Sequence, residues 1–329
     1  RARLETLVAA LEEGIDALAF SSGMAAVDAV MNLFAPGDHI ITGNDLYGGS
    51  FRLFRNINAR NGVEFTTVHT SKLEEIKAAI KPNTKAIFLE TPTNPTMEIS
   101  DLRAISKIAK ENNFLVIVDN TFLTPYFQKP LTLGADIVIH SGTKYLAGHN
   151  DVLAGFTVVK DQTLADKLRL IFKTTGACLG ALDAWLVIRG IKTLPLRMEQ
   201  HQKNAAAIAA WLQKQPRVQY VLYPGLAEHP GYAVNKAQTS GFGGMISFAV
   251  DNAETARQIL EGVKLIQFAE SLGGTESLIT YPIRQTHTDL TPEECAEKGI
   301  TDCLLRLSTG IEATEDLIAD LAQAFAAVQ

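Results

Sequence analysis

The sequence has little cysteine: Cys178, Cys295 and Cys303 are the only three among its 329 residues. An odd number of scattered cysteines argues against a disulfide framework and favours a reducing compartment, so we expect a cytoplasmic protein. The sequence contains neither a Cys-x-x-Cys pair nor a His-Glu-x-x-His motif. It therefore predicts no dedicated metal site.

Long hydrophobic runs and a strong excess of one charge are also missing. No apolar stretch is long enough to cross a bilayer. A formal net charge of -6 does not favour nucleic acid or an anionic membrane as a partner. The composition, 47% hydrophobic and 20% charged, excludes the disordered, collagen and coiled-coil classes. The length favours two domains over one.

The chain has no initiator methionine and no signal peptide at its start. Arg1 leads directly into an apolar stripe at helical spacing, from Leu4 to Leu11, which Gly14 closes. We therefore expect a further N-terminal segment to precede Arg1.

Short apolar runs alternate with helical patterns from Ile15 to about Val159. The predicted strands are Ile15–Phe20, His39–Thr42, Glu64–Val68, Lys85–Leu89, Phe114–Asp119 and Asp136–His140. The predicted helices between them include Gly23–Phe34, Leu73–Ile80 and Asp101–Asn112. Several strands are continuous apolar runs, as in a sheet buried on both faces. The pattern predicts an α/β fold with a mainly parallel sheet and helices on both faces.

The second part of the chain has fewer strands and longer helical patterns. Helices are predicted at Asp161–Thr174, Leu182–Ile191, Leu196–Gln213 and Ala313–Val328. Strands are predicted at Val218–Tyr223, Met245–Val250 and Leu304–Ser308. We expect a large domain over residues 1–200 and a smaller α+β domain over residues 201–329.

Two polar segments follow predicted strands, where open α/β sheets bind their ligands. Ser21-Ser22-Gly23-Met24 opens a helix, and its free N–H groups suit an anion such as phosphate. Serine before a helix is more often only an N-cap, and for this segment alone we favour the cap. Asp119 ends a strand, where a carboxylate grips a cation or a protonated ring nitrogen, or caps the next turn. The two interpretations of Asp119 are about equal.

Two further segments follow strands in the same region. Ser141, Thr143 and Lys144 lie together in the loop His140–Tyr145. A lysine becomes nucleophilic when burial and local charge lower its pKa, although most lysines are solvated surface residues. The adjacent hydroxyls favour a functional lysine. Glu90-Thr-Pro-Thr-Asn-Pro95 is a proline-rich turn that would aim Asn94 into the same crevice.

These four segments together describe a site for pyridoxal 5′-phosphate (PLP). Its aldehyde bonds a lysine, its phosphate needs N–H and O–H donors, and its pyridine nitrogen needs a carboxylate to stay protonated. The sequence therefore predicts a PLP enzyme.

The sequence also resembles the Cys/Met-metabolism (transsulfuration) family of PLP-dependent enzymes over essentially its whole length. Seven motifs in order carry the resemblance: Ser22-Gly-Met-Ala-Ala26, Asp45-Leu-Tyr-Gly-Gly49, Glu90-Thr-Pro-Thr-Asn-Pro95, Val118-Asp-Asn-Thr-Phe122, Ser141-Gly-Thr-Lys-Tyr-Leu-Ala-Gly-His-Asn-Asp-Val152, Glu270-Ser-Leu-Gly-Gly274 and Leu305-Arg-Leu-Ser-Thr-Gly310. The resemblance implies PLP fold type I, the aspartate-aminotransferase type. It also implies a homotetramer of dimers with shared active sites, in which a tyrosine and an arginine upstream of Arg1 bind the neighbouring subunit's phosphate.

The resemblance assigns the cofactor-binding positions. It implies that Lys144 forms the Schiff base, that Asp119 partners the pyridinium nitrogen, and that Tyr47 stacks on the ring and moves a proton to the leaving sulfur. Four residues would bind the phosphate: Gly23 and Met24 through N–H groups, Ser141 and Thr143 through hydroxyls.

The substrate positions follow in the same way. Arg306 would take the substrate α-carboxylate, whereas Asn94 would contact the carboxylate or the cofactor's ring oxygen. Ser271 would shape the pocket and Glu270 would receive the distal ammonium of cystathionine, although a surface glutamate on a turn is the plainer interpretation. Methionine γ-lyases of the family usually carry an apolar residue in place of Glu270 and a cysteine near the stacking tyrosine, where this chain has Gly49.

The expected activity is β- or γ-elimination of cystathionine, with the freed Lys144 amine removing the Cα proton. The family alternatives are a cystathionine γ-synthase, which replaces the γ-substituent of an acylated homoserine, and an O-acetylhomoserine sulfhydrylase. A non-catalytic PLP-binding protein is a remote alternative. So is a short-chain dehydrogenase, since Tyr232-Ala-Val-Asn-Lys236 fits Tyr-x-x-x-Lys, but no Gly-x-Gly-x-x-Gly follows the first strand. His287 has no assigned role, and a packed histidine is favoured.

Overall fold

A computed structural model describes residues 1–286 and 291–328 of the chain. Its first sheet contains β1 (Asp16–Phe20), β2 (His39–Gly43), β3 (Glu64–Val68), β4 (Thr84–Glu90), β5 (Leu115–Asp119), β6 (Ile137–Ser141) and β7 (Gly155–Val159). The six strands predicted in this region are all present, with each end within one residue of the prediction. The sequence analysis names no strand at β7.

The strand order of this sheet is β1-β7-β6-β5-β4-β2-β3. The pairs from β6 through β5, β4 and β2 to β3 are parallel, whereas β7 runs antiparallel to both β1 and β6. The mainly parallel sheet is thus confirmed. Because β4, β5 and β6 are parallel neighbours, their carboxyl ends meet at one edge, where a ligand site forms in such folds.

The helices of this part cover the sheet. They are α1 (Ala2–Glu12), α2 (Gly23–Met31), α3 (Gly48–Leu53), α4 (Leu73–Ala78), α5 (Leu102–Glu111), α6 (Thr124–Phe127), α7 (Pro130–Leu133) and α8 (Gln162–Thr175), with a π-helical turn at Phe54–Asn58. The second helix ends at Met31, three residues before its predicted end at Phe34. Pro36 disfavours helical geometry at the residue before it, so the chain turns early.

A second sheet lies in the C-terminal part of the chain. It has the order β10-β11-β12-β9-β8, with β8 (Val218–Leu222), β9 (Met245–Val250), β10 (Gln267–Phe268), β11 (Leu278–Thr280) and β12 (Leu304–Ser308). The helices here are α9 (Ala181–Ile191), α10 (Leu194–Leu212), α11 (Tyr232–Gln238), α12 (Ala253–Gly262), α13 (Pro292–Glu297) and α14 (Thr314–Ala326), with a short 3₁₀ turn at Pro282–Arg284. The domain boundary predicted near residue 200 falls inside α10 and stays a prediction.

Each sheet has its own hydrophobic core. The central strands of the first sheet are buried on both faces, since Val116 and Val118 pack toward α5 while Ile117 packs toward α2. In the second sheet, Phe248 and Leu305 pack against α10, α12 and α14. Burial on both faces explains why the parallel strands read as continuous apolar runs.

None of the helices in the described ranges has both the length and the apolar character that a bilayer crossing requires. The three cysteines are free thiols. The predicted cytoplasmic location stays a prediction.

Candidate active site

A cavity opens at the carboxyl ends of β4, β5 and β6, beside the start of α2. Its empty volume, including the open mouth, is about 840 Å³, within the range of small-molecule sites. Its lining includes Ser22, Gly23, Met24, Tyr47, Glu90, Asn94, Asp119, Thr121, Ser141, Thr143, Lys144 and Leu272. The edge of the sheet thus brings together the four segments selected from the sequence.

Lys144 lies in the loop after β6, largely buried, and its Nζ donates to Ser271 Oγ at 3.0 Å. Burial and, to a smaller extent, the positive charge of Arg306 lower the pKa of Lys144 to about 8, while the charge of Glu270 opposes the shift. Near neutral pH, a fraction of the protein molecules therefore has Lys144 as a neutral amine. Neutral amines are the nucleophilic and basic form of lysine.

Ser271 reaches the lysine from the second half of the chain. Its backbone has a φ of 141°, in the region that residues with side chains rarely adopt. The carbonyl oxygen of Ser271 accepts from Arg306 Nη2 at 3.0 Å, while its hydroxyl faces Lys144. One strained residue thus contacts both cationic side chains of the site.

Asp119 ends β5 and lines the cavity. Its Oδ1 accepts from the Thr121 N–H at 2.9 Å and from the Thr121 hydroxyl at 2.5 Å. Burial raises the pKa of the Asp119 carboxyl, and the Thr121 hydrogen bonds and the charge of His140 oppose that shift. The structure therefore confirms that Asp119 caps the turn, whereas its binding of a ring nitrogen stays a prediction that its place in the cavity lining allows.

Ser22 is the N-cap of α2, as the segment Ser21–Met24 by itself predicts. Ser22 Oγ accepts from the Ala25 N–H at 3.1 Å. A Cβ at Gly23 would lie 3.1 Å from the Ser141 Cβ, so glycine lets the helix start and the β6 loop approach closely. Gly23 and Met24 line the cavity at the positive end of α2, where an anion is favoured.

Thr143 and Ser141 lie near the lysine, and both take part in hydrogen bonds that hold the surrounding loops. The Thr143 hydroxyl donates to the Ala154 carbonyl at 3.3 Å and accepts from the Ala154 N–H at 3.0 Å. The backbone N–H of Ser141 donates to Thr121 Oγ1 at 2.8 Å. Both residues line the cavity, but Thr143 already stabilises its own loop.

Tyr47 is held at the rim of the cavity. Its backbone N–H donates to Glu90 Oε1 at 2.9 Å, and 42% of its side chain is exposed. A Cβ on Gly49 would lie 2.5 Å from Tyr47 Cε1 and 2.9 Å from Met24 Sδ. The tyrosine ring therefore has this position only because residue 49 has no side chain.

Arg306 on β12 is 1% exposed and lies behind the cavity wall. It donates to Asn94 Oδ1 at 2.9 Å through Nη1, and to the Ser271 carbonyl and Thr280 Oγ1 at 3.0 Å through Nη2. Its Nε finds no partner among the described residues. Burial lowers the pKa of Arg306 to about 10, which still leaves it charged at neutral pH. A buried cation with neutral partners favours an anionic ligand.

Glu270 lies beside this cavity rather than in it. It is exposed and lines an adjoining open cavity with Asn150, Asp151 and Ser271. The two cavities share Thr143 and Leu153. Glu270 is therefore placed for a group that extends beyond the lysine, not for the reacting carbon.

The family described as Cys/Met metabolism PLP-dependent enzymes matches residues 1–326. The chain is 52% identical to a cystathionine γ-lyase of Bacillus subtilis, over 98% of this chain and 86% of that protein. It is also 52% identical to a cystathionine γ-synthase of Haemophilus influenzae, over 99% of this chain and 84% of that protein. The chain belongs to the Cys/Met metabolism family of PLP-dependent enzymes.

The solved structures agree with this assignment. The crystal structure of a cystathionine γ-lyase from Lactobacillus plantarum, complexed with L-serine, superposes with a TM-score of 0.98 at 46% identity. The match covers 100% of this chain and 86% of that one. Both the predicted family and the predicted PLP fold type I are thus confirmed. Cystathionine β-lyases and L-methionine γ-lyases are also among the relatives of this family member.

The residues at the cavity fit the family's cofactor, PLP. A lysine of lowered pKa, a carboxyl at a strand end and a helix N-terminus line one cavity. These are the donor types that an aldehyde, a pyridine nitrogen and a phosphate require. The chain is a PLP-dependent enzyme of sulfur amino-acid metabolism.

Several residues at the site have no role assigned from the sequence. Glu90 and Thr121 line the cavity, and Thr280 binds Arg306. Glu90 ends β4 just as Asp119 ends β5, so the rule that selected Asp119 applies to it equally. Tyr232 and Lys236 lie on α11, outside the cavity lining, and the family assignment leaves the dehydrogenase interpretation without support. His287 lies outside the described residues.

Proposed function

We propose that this family member is a carbon–sulfur lyase that cleaves cystathionine by β- or γ-elimination with Lys144 as its catalytic base. The observation that carries the proposal is the buried Lys144 amine, with a pKa of about 8, in one cavity with Asp119. The names of the relatives support the substrate class, since lyases and synthases of cystathionine are both among them.

PLP, when bound, withdraws electrons from the substrate's Cα and so makes the Cα–H acidic. Lys144 Nζ takes that proton as a general base, because a base with a pKa near the working pH is efficient. Ser271 Oγ, 3.0 Å away, orients the lysine amine. The Asp119 carboxylate would stabilise the protonated form of the PLP ring nitrogen, and two hydrogen bonds from Thr121 fix the orientation of that carboxylate.

The phosphate of the cofactor would be held at the start of α2. Gly23 and Met24 offer N–H groups at the positive end of the helix, and Ser141 and Thr143 offer hydroxyls beside it. Thr143 also bonds to Ala154, so it shares its hydroxyl between the loop and the phosphate.

Substrate groups would be held by the residues around Arg306. Its guanidinium suits a carboxylate, and Asn94 Oδ1 fixes its orientation at the cavity wall. Glu270 in the adjoining cavity receives the distal ammonium of cystathionine. Tyr47 at the rim moves a proton to the departing sulfur. The absence of a side chain at Gly49 and the acid at position 270 both disfavour methionine as the main substrate.

One incubation separates the reactions. A β-lyase converts cystathionine and water into homocysteine, pyruvate and ammonia, whereas a γ-lyase yields cysteine, 2-oxobutyrate and ammonia. A parallel incubation with an acylated homoserine plus cysteine or sulfide tests the alternatives, cystathionine γ-synthase and O-acetylhomoserine sulfhydrylase. Keto acid from cystathionine supports the lyase. Product from the second incubation alone would contradict it.

We also propose a homotetramer built from dimers that share active sites. Leu153, 66% exposed, lies at both cavities, and Tyr47 is half-exposed at the rim. Large apolar side chains at a cavity mouth favour a covering surface, and a second copy of the chain would supply it. Size-exclusion chromatography of the holoenzyme with light scattering measures the number of subunits, and a monomer would contradict the proposal.

A further inference from the structure

Two carboxyl side chains end neighbouring strands at the same level of the sheet. Glu90 of β4 pairs with Asp119 of β5 in the parallel register, and both line the same cavity. Residues paired in register project from the same face of a sheet, and adjacent strands lie about 4.8 Å apart. The two carboxyl groups are therefore close neighbours in a partly dry site.

Two like charges on neighbouring buried side chains do not both form readily. Asp119 has two hydrogen bonds from Thr121 that stabilise its charged form, and the charge of His140 acts in the same direction. Glu90 has one hydrogen bond, from the Tyr47 N–H, and it also faces the charge of Asp45. Burial and Asp119 raise the pKa of the Glu90 carboxyl well above its usual range. Among the described residues that line this cavity, Lys144 is the one cationic side chain, so the lining offers one positive charge for two carboxyl groups.

We propose that Glu90 is an uncharged acid that fixes Tyr47 at the cavity rim. Of the two carboxyl groups at the neighbouring ends of β4 and β5, only Asp119 then carries a negative charge. Glu90 is thus a positioning residue that acts through the Tyr47 backbone. Its neutrality preserves the single negative charge that a protonated ring nitrogen needs. The inference rests on the proposed role of Asp119 and Tyr47 toward PLP.

Two substitutions at Glu90 test whether this residue acts as an uncharged acid or as a charged carboxylate. Glu90→Gln keeps an uncharged oxygen that accepts the Tyr47 N–H, whereas Glu90→Ala removes the acceptor. Glu111→Gln, at the exposed end of α5, is the matched control. The measurements are the dissociation constant of PLP, followed by its absorbance, and the pH profile of kcat/KM on cystathionine.

For Glu90→Gln we expect a PLP dissociation constant within about threefold of the parent protein and an unchanged pH profile. For Glu90→Ala we expect PLP binding to weaken about tenfold or more, because the Tyr47 N–H loses its partner. A Glu90→Gln protein as impaired as Glu90→Ala would overturn the inference, since the function would then need the carboxylate charge.

A second measurement needs no activity and no folded alanine variant. Infrared spectra of the holoenzyme with ¹³C-labelled glutamate report the carbonyl stretch of a protonated carboxylic acid. We expect this band at about neutral pH in the parent protein and its loss in Glu90→Gln. A parent protein without the band would overturn the inference. A holoenzyme that shows the band but leaves cystathionine intact would instead contradict only the proposed function.

Discussion

Lys144 Nζ donates a hydrogen bond of 3.0 Å to Ser271 Oγ, which joins the loop after β6 to a loop 127 residues away. The partner of this buried amine is a neutral hydroxyl rather than a carboxylate. An acidic partner would hold the lysine in its charged form, whereas a hydroxyl leaves the amine able to accept a proton. This contact supports the proposal that Lys144 is the base of the reaction.

Replacement of Lys144 tests that role directly. We expect Lys144→Ala to lower kcat on cystathionine by at least about a thousandfold and to remove the visible absorbance of lysine-linked PLP, because the base and the linkage are lost together. Lys107→Ala, on the exposed face of α5, is the control and stays fully active. Full activity in Lys144→Ala would refute the assignment.

We expect the contribution of Lys144 to the stability of the cofactor-free protein to increase as pH rises through the range in which the folded protein loses the Lys144 proton. The pKa of Lys144 is about 8 in the folded state against 10.5 in the unfolded chain, so between these values the unfolded state binds more protons. The gain from Lys144 is roughly 3 kcal/mol. Urea unfolding of the apo protein at several pH values measures it. Lys144→Met removes this contribution, and an equal slope in both proteins would contradict the lowered pKa.

Arg306 binds its neighbours through a planar fork that lysine does not reproduce. We expect Arg306→Lys to raise the KM for cystathionine by roughly ten- to a hundredfold, with a smaller change in kcat, because bidentate binding of a carboxylate is lost. Steady-state kinetics give both constants. Arg257→Lys, on the exposed face of α12, is the matched control. A KM equal to that of the control would remove Arg306 from substrate binding.

Glu270 affects only substrates that carry a distal cation. We expect Glu270→Ala to raise the KM for cystathionine about fivefold or more, the order of one charge-assisted hydrogen bond, and to leave an S-alkylcysteine unaffected. Glu315→Ala, at the exposed start of α14, serves as the control. An unchanged KM for cystathionine would leave Glu270 as a surface residue.

Gly49 is required for the position of the Tyr47 ring. We expect Gly49→Ala to lower kcat/KM about tenfold, because the new Cβ would lie 2.5 Å from Tyr47 Cε1. Thermal stability changes little, since the half-exposed ring swings outward and alanine favours helix α3. In Gly180→Ala the new Cβ meets only the flexible end of Asp183, and activity is expected to persist. Equal activity in both variants would show that the ring position is unimportant.

Local patterns were sufficient for six of the seven strands of the first sheet. The apolar runs at β5 and β6 predict their strands to within one residue, because strands buried on both faces need continuous hydrophobic sequence. The strand β7 was missed, and it is the strand that runs antiparallel to its neighbours. Five residues are a short pattern from which to establish a strand, and the pairing of β7 with β1 and β6 depends on parts of the chain that are distant in sequence.

The residue types at the ends of β5 and β6, the helix start at Ser22 and the ordered motifs determined that a PLP enzyme of this family is encoded. The side-chain chemistry indicated PLP, and the family followed from the resemblance of the ordered motifs. Tertiary structure decided which of these groups are in contact. Ser271 is hydrogen-bonded to Lys144, and Arg306 to Asn94. Glu270 lies in a neighbouring cavity. Tertiary structure also set Glu90 beside Asp119. Distances between residues far apart in the chain, and the burial that shifts their pKa values, arise only when the two sheets pack and exclude water.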